Sequence, residues 1–386
     1  MDGVSADPGL REAVEQLPLI DHHVHGALKD TPTRDQWANA FIEADTEPFP
    51  PQLDPLDTQL GFAVRAWCAP VLDLPRHVDP QIYWQRRTQL GEAEVNQRFL
   101  TAAGVERWLV DTGFATDTIL DPEQLSRISG RPADEIVRLE VLAEQLHADG
   151  TSPADYPDAF RELLSSRTRH AVGTKTIIAY RCGFDVDLTR PSDAAVTRTY
   201  AQWHQADSRL TDPTLIAFGM HEATRAGLPL QIHVGFGDRD LDLRAADPLL
   251  LTDFLRDPQV QQTSVLLLHC YPYERAAGYL AQGFPNVYLD VGLAVNYLGA
   301  RSAAVIARSL EMAPFSKILY SSDAYGPSEL HYLGARLWRT GLTKALSQFV
   351  ASDEWSVDDA VRITHLIGSG NARRAYPALS VEEQSV

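Results

Sequence analysis

The stretch Pro18–Gly26, PLIDHHVHG, crowds three histidines and an aspartate into the five positions from Asp21 to His25, directly after an apolar step. Only 12 histidines occur in the 386 residues, so the crowding needs a reason. An apolar run that ends in polar side chains reads as a short buried strand with chemistry at its tip. Side chains alternate faces along a strand, so His23 and His25 are expected to point one way and His22 the other. Two imidazoles so placed can reach one metal ion. Taken alone, an HxH pair is equally well a pair of hydrogen-bonded core histidines.

The same format recurs along the chain. LPLIDHHVH, ERWLVDTGF, EIVRLE, HAVGTKTIIAYR, LPLQIHVGFG, SVLLLHC, NVYLDVGL and KILYSSDAYG make eight short apolar runs ending in polar or glycine-containing residues. Helix-like stretches such as DPTLIAFGMHEATRAG and PYERAAGYLAQG separate most of them. Continuous apolar strands alternating with helices predict a parallel sheet covered on its outer face. Eight such units predict an α/β fold, a closed (β/α)8 TIM barrel. An open doubly wound sheet is disfavoured, because no glycine-rich dinucleotide fingerprint follows the first strand.

Residues from about 26 to 105 interrupt the alternation and read as a helical insertion after strand 1, placed to cap the barrel mouth. Residues 1–386 are thus expected to form one barrel domain that includes this cap. The proline cluster TEPFPPQLDP within it reads as a loop, and the tail PALSVEEQSV is expected to fray.

Composition narrows the function classes. Asp and Glu number 52 against 34 Lys and Arg, a net charge of −18, and no basic run offers itself to nucleic acid or an anionic membrane. No apolar stretch approaches the ~20 residues of a membrane helix. The polar start MDGVSADPGLREAVEQ is unlike a signal peptide, and three cysteines without CxxC spacing suit a reducing compartment, so a cytoplasmic location is expected. The expected partner is a small-molecule substrate, and a homo-oligomer is left open.

Other strand ends change the weight given to the HxH pair. His233 closes LPLQIH, His269 closes SVLLLH and Asp323 follows ILYSS. Barrel enzymes assemble their sites from the C-terminal ends of several strands, so four imidazoles and a carboxylate are expected to converge there. Neutral nitrogen and oxygen donors suit a divalent ion, zinc first, with manganese or iron as alternatives. Lys175, in the fourth run, has three readings: a carbamate bridging two metals, an ammonium binding a substrate carboxylate beside Arg181, or a salt bridge to Glu140. Tyr180, Tyr271 and Tyr273 lie near strand ends, where they could orient substrate or simply pack. Glu329 and His331 in GPSELHYL could support the site or begin a solvated helix.

This arrangement resembles the amidohydrolase superfamily, whose barrel carries HxH on strand one, His on strands five and six, and Asp on strand eight. IGSGNARRAY resembles its closing helix. GTKTIIAYRCG, IHVGFGD and YSSDAYGPSE are similar to the amidohydrolase domain of nodulin/FluG-type proteins, often fused to a glutamine-synthetase-like domain. No sequence of that second kind lies in these residues, so coupled ligase activity is not expected of them alone. The resemblance implies one or two ions, with His23, His25 and Asp323 as ligands and His233 a ligand or near-ligand. His269 would bind a second metal or the substrate, and Lys175 would be the carbamate candidate. It further implies a metal-dependent hydrolase that cleaves the C–N amide bond of a small carboxylate-bearing substrate, a γ-glutamyl amide being one candidate. Asp323 would move the proton, a metal or His269 would polarise the carbonyl, and Tyr180, Arg181 and Glu329 would contact substrate. The rivals are a non-oxidative decarboxylase of the same superfamily and an inactive metal-binding scaffold.

Overall fold

The computed structural model describes residues 7–44, 50, 52–206 and 209–382. Seven of the eight apolar runs form strands: β1 (Leu19–Val24), β2 (Val105–Asp111), β3 (Ala133–Arg138), β4 (Gly173–Thr176), β5 (Leu230–His233), β6 (Val265–Leu268) and β7 (Val287–Leu289). They pair in parallel, each with its successor in sequence. The eighth run fills the remaining place without a regular ladder. Leu319 N donates to Leu289 O at 2.9 Å on the β7 side, while His22 N donates to Tyr320 O at 3.2 Å on the β1 side. The ladder is irregular because side chains enter it. Ser322 N goes to the Asp21 carboxylate at 2.9 Å, and Asp323 stands at φ 48, outside strand conformation. The result is a TIM-barrel-like α/β fold.

Alternation along the strands sorts the core. Leu109, Ile136, Leu266, Leu268 and Leu319 gather in one cluster, whereas Val110, Ile232 and Leu267 belong to the larger cluster beneath the helices. The inner cluster ends on Tyr376, Ala372 and Leu379 from the closing helices. The expected fraying of the tail is therefore corrected for its first half: Pro377–Glu382 is helical and Leu379 is buried. An apolar side chain that plugs the barrel floor has more to gain from burial than the chain loses by ordering.

The segment after β1 is helical, as its composition predicts. Thr33 and Gln36 form a capping box that starts the helix Arg34–Asn39, and Asp79 with Pro80 starts Pro80–Leu90. Part of the proline cluster lies outside the described residues. Two observations put the first part of this segment on the C-terminal side of the barrel. A Cβ on Gly299, just beyond the helix Gly292–Leu298 that follows β7, would lie 2.4 Å from the Gln59 carbonyl. Glu43 also raises the Tyr297 hydroxyl through charge and a hydrogen bond, second to burial itself. The last part has a different place: Glu92–Ala102 packs against Pro122–Ser129 and Ser328–Ala351, in the outer helical ring. Among the described residues no helix is long and apolar enough to cross a membrane.

Candidate metal centre

The strand tips bring His23, His25, His269 and Asp323 together. His23 Nε2 lies 3.0 Å from Asp323 Oδ1, His25 Nε2 lies 3.6 Å from the same oxygen, and His269 Nε2 lies 3.3 Å from Oδ2. The His233 ring centroid is 4.8 Å from that of His269. Lys175 Nζ is 3.0 Å from His23 Nε2. His269 (φ 63) and Asp323 (φ 48) both occupy the left-handed backbone region, which side-chain-bearing residues seldom adopt.

Hydrogen bonds assign the tautomers. Gln231 Nε2 donates to the His22 carbonyl and the Tyr376 hydroxyl, so its Oε1 faces His23 Nδ1 at 2.8 Å and that nitrogen carries the proton. His25 Nδ1 donates to the Asp111 carbonyl at 3.2 Å. Both Nε2 lone pairs are thereby aimed at the Asp323 carboxylate. Acceptors facing an acceptor repel unless a cation lies among them. Lys175 offers one cation, and a metal ion suits the set better, because His233 Nε2 and both His269 nitrogens are buried without a hydrogen-bond partner.

The electrostatics agree with that fit. Burial, with the Lys175 charge next, pushes His23 and His233 well below the usual imidazole range, and burial takes His25 down to about 4. Burial and the neighbouring imidazoles do the same to His269. Neutral imidazoles are the form that ligates. Burial also lowers the Lys175 amine from its ordinary value, partly offset by Asp111. Burial raises the Asp323 carboxyl to about 6.

That value has a testable consequence. Between pH 7 and pH 5 Asp323 takes up a proton that a metal ligand must lose, while His25 at about 4 stays neutral. Metal affinity of the metal-free protein should therefore fall by roughly tenfold over this interval. Competition with a chelator at the two pH values measures it. An unchanged affinity would remove Asp323 from the ligand set.

Several expectations need correction. His22 does not turn away from its neighbours: the pairing of β1 with β2 slips between Asp21 and Val24, and the His22 ring bonds Asp290 Oδ2 at 3.0 Å and the Tyr376 hydroxyl at 2.9 Å, beneath His23. Lys175 makes no salt bridge to Glu140, whose Oε1 instead accepts from the Thr176 hydroxyl at 2.6 Å and Ile177 N at 2.9 Å. Arg181 pairs with Glu144 at 3.1 Å. Glu329 is fully buried and takes Arg87, Trp37 and Tyr83 on Oε1, at 2.8, 3.1 and 3.2 Å. It ties the cap to the helix Ser328–Ala351. Tyr180 is well placed, its ring centroid 4.7 Å from that of His233. Gly237 leaves room for it, since a Cβ there would meet the Tyr180 hydroxyl at 2.0 Å. Tyr273 donates to Leu243 O at 2.8 Å, and His331 bonds the His25 carbonyl at 3.0 Å.

Sequence reasoning missed Asp111, Arg138, Gln231 and Asp290. Asp111 Oδ2 accepts from Arg138 Nη2 at 2.6 Å and lies 3.7 Å from Lys175 Nζ, while Oδ1 accepts from Gly113 N at 2.9 Å. Burial would raise Asp111, yet the Arg138 and Lys175 charges hold it well below the carboxylate range. Asp111 could join His23 and His25 around a cation, just as Asp323 could join His23 and His269. Both of its oxygens are already spent, so the Asp323 set is the better cradle. Asp290 Oδ1 accepts from His269 N, Gly292 N and the Ser321 hydroxyl, at 3.1, 2.7 and 2.7 Å, fixing the backbone of β6, β7 and the eighth run together. The signal was present: Asp111 and Arg138 also close apolar runs, WLVD and EIVR.

Comparison with known proteins follows the same line. The family model described as Amidohydrolase matches residues 140–378. Protein fluG of Emericella nidulans is 28% identical over 404 residues, covering 95% of this chain and 46% of its own length, so the chain spans about half of that relative. A crystal structure from Lactobacillus casei ATCC 334, provisionally named a metal-dependent hydrolase, is 30% identical with a TM-score of 0.85. That match covers 97% of this chain and 98% of the other. A uronate isomerase from Bacillus halodurans C-125 has 15% identity and a TM-score of 0.61, over 97% of both chains, and shares the fold.

Proposed function

The chain belongs to the amidohydrolase family, and from that premise we propose that it is a metal-dependent hydrolase cleaving the C–N bond of a small carboxylate-bearing amide. A γ-glutamyl amide is the first candidate substrate, and zinc the first candidate metal. The observation that carries the reading is the convergence of two proton-free imidazole nitrogens, from His23 and His25, on the Asp323 carboxylate.

His23, His25 and Asp323 would hold the ion, with His233 beside them and His269 either a further ligand or a contact to substrate. A bound divalent ion supplies Lewis acidity and lowers the pKa of water toward ~7. Asp323 accepts the proton released from the attacking water and delivers it to the leaving nitrogen, a role suited to a carboxyl raised to about 6. Tyr180, beside His233, orients the acyl portion. Lys175 is buried, and burial lowers its amine from the ordinary value; a carbamate formed on it would favour the hydrolase over a decarboxylase. The part of the cap segment on the C-terminal side of the barrel would limit substrate size. The free cysteines Cys68, Cys182 and Cys270 fit a reducing, cytoplasmic setting.

The test is an assay of protein loaded with zinc, manganese or iron against a panel of small carboxylate-bearing amides, including γ-glutamyl amides. Amine release that stops on chelation is expected. Carbon dioxide release from carboxylate substrates, with no amine from any amide, would replace this reading with the decarboxylase.

A further inference from the structure

Arg138 is the charged group at the mouth to which the proposed reaction gives no task. It ends β3, one strand away from Lys175 on β4. Its Nε and Nη2 donate to Asp111 Oδ2, at 3.2 and 2.6 Å, and among the described residues Nη1 makes no hydrogen bond. We propose that Arg138 is the receptor for the substrate's carboxylate, with Phe114 and Tyr325 forming a wall for a flat apolar flank beside it. The inference rests on the reading of this mouth as the catalytic site.

The arginine is held rather than merely present. Asp111 is itself fixed, its other oxygen bonded to Gly113 N. A Cβ on Gly113 would lie 2.4 Å from Arg138 Cβ and 2.6 Å from Cδ and Nε, so only glycine lets the loop after β2 close over the arginine stem. A guanidinium with two of its five N–H donors anchored and both on Nη1 left is oriented before ligand arrives, which reduces the entropy lost on binding. The same residue positions the proposed metal ligand: the Asp111 carbonyl accepts from His25 Nδ1. A carboxylate on Arg138 is thus kept in register with the ion through one backbone unit.

The aromatic wall adjoins both. The Phe114 ring centroid lies 5.9 Å from Arg138 Cζ, 5.8 Å from the His25 ring and 4.9 Å from Tyr325. Phe114 remains 45% exposed, so its face is open to a ligand. Arg181 pairs with Glu144 at 3.1 Å and Lys175 is buried against His23, whereas Arg138 lies beside the Phe114 ring. The substrate class is therefore a compact carboxylate with a planar apolar group close to the carboxylate, which a γ-glutamyl group lacks, so on this inference an amide of that kind takes the place of the γ-glutamyl candidate.

Calorimetric titration of the metal-loaded protein with benzoate, benzamide and acetate tests this. Benzoate should bind at least about tenfold more tightly than benzamide, which lacks the charge, and than acetate, which lacks the ring. Arg138→Gln should abolish the preference over benzamide. Because that change strands Asp111, Asp111→Asn/Arg138→Gln is made in parallel, and metal content and circular dichroism are recorded for each. Phe114→Ala, at an exposed site, should abolish the preference over acetate while keeping that over benzamide. Equal binding of benzoate and benzamide by the unmutated protein overturns the proposal. So does wild-type benzoate affinity in either folded, metal-loaded Arg138 variant, or an unchanged benzoate-to-acetate ratio in Phe114→Ala. Since the readout is binding, failure here leaves an amide hydrolysis result standing, and failure of hydrolysis leaves this one standing.

Discussion

Asp323→Asn should reduce kcat on the order of 10²–10⁴-fold while the protein stays folded. The amide is nearly isosteric with the carboxyl, and asparagine shares aspartate's tolerance for the left-handed region in which residue 323 stands, at φ 48. The fold should therefore survive. What is lost is the capacity to take a proton from water and to face His23 and His25 as an anion. Metal content must be measured in the same sample, because a lost ion and a lost proton acceptor both depress kcat. A variant that keeps its metal and turns over at nearly the parental rate would exclude Asp323 from proton transfer.

The second large effect lies away from the chemistry. Arg87 is fully buried and bonds Glu92 through both Nη atoms, at 2.7 and 2.8 Å, and Glu329 through Nε at 2.8 Å. Burial raises Glu92, partly offset by the hydrogen bond and the charge of Arg87. Arg87→Met leaves two buried carboxylates facing each other without a cation. It should destabilise the protein by about 3–5 kcal/mol, the usual result of removing one partner from a buried ion pair. Arg87→Met/Glu92→Gln/Glu329→Gln removes the stranded charges and should recover a substantial part of that loss. Denaturant unfolding measures both. Equal destabilisation by the single and triple variants would show that packing around Arg87 matters and its charge does not.

The barrel and its five imidazole and carboxylate tips were legible in the sequence for one reason: each sits at the end of an apolar run, and a parallel barrel gathers such ends at one mouth. His23, His25, His269 and Asp323 meet within 3.6 Å of one another through Asp323, and His233 stands beside His269. Where sequence reasoning failed, it failed on partners. His22 was assigned to the far face by strict alternation, and the slip in β1 pairing removed the basis for that assignment. Glu329 and Arg181 are polar residues near the expected mouth, but an ion pair with Arg87 or Glu144 depends on helices distant in sequence. Asp111 and Arg138 obeyed the strand-end rule. They were passed over because a carboxylate and a guanidinium draw less notice than clustered histidines.

The central claim is that the mouth holds a divalent ion on His23, His25 and Asp323. Its most direct test is elemental analysis of the purified protein, desalted after incubation with zinc, manganese or iron, beside His23→Ala/His25→Ala treated identically. The account predicts about one or more equivalents of metal per chain in the parent and a large loss in the double variant. A parent that retains no metal under any of these conditions, or a double variant that retains as much as the parent, would contradict it.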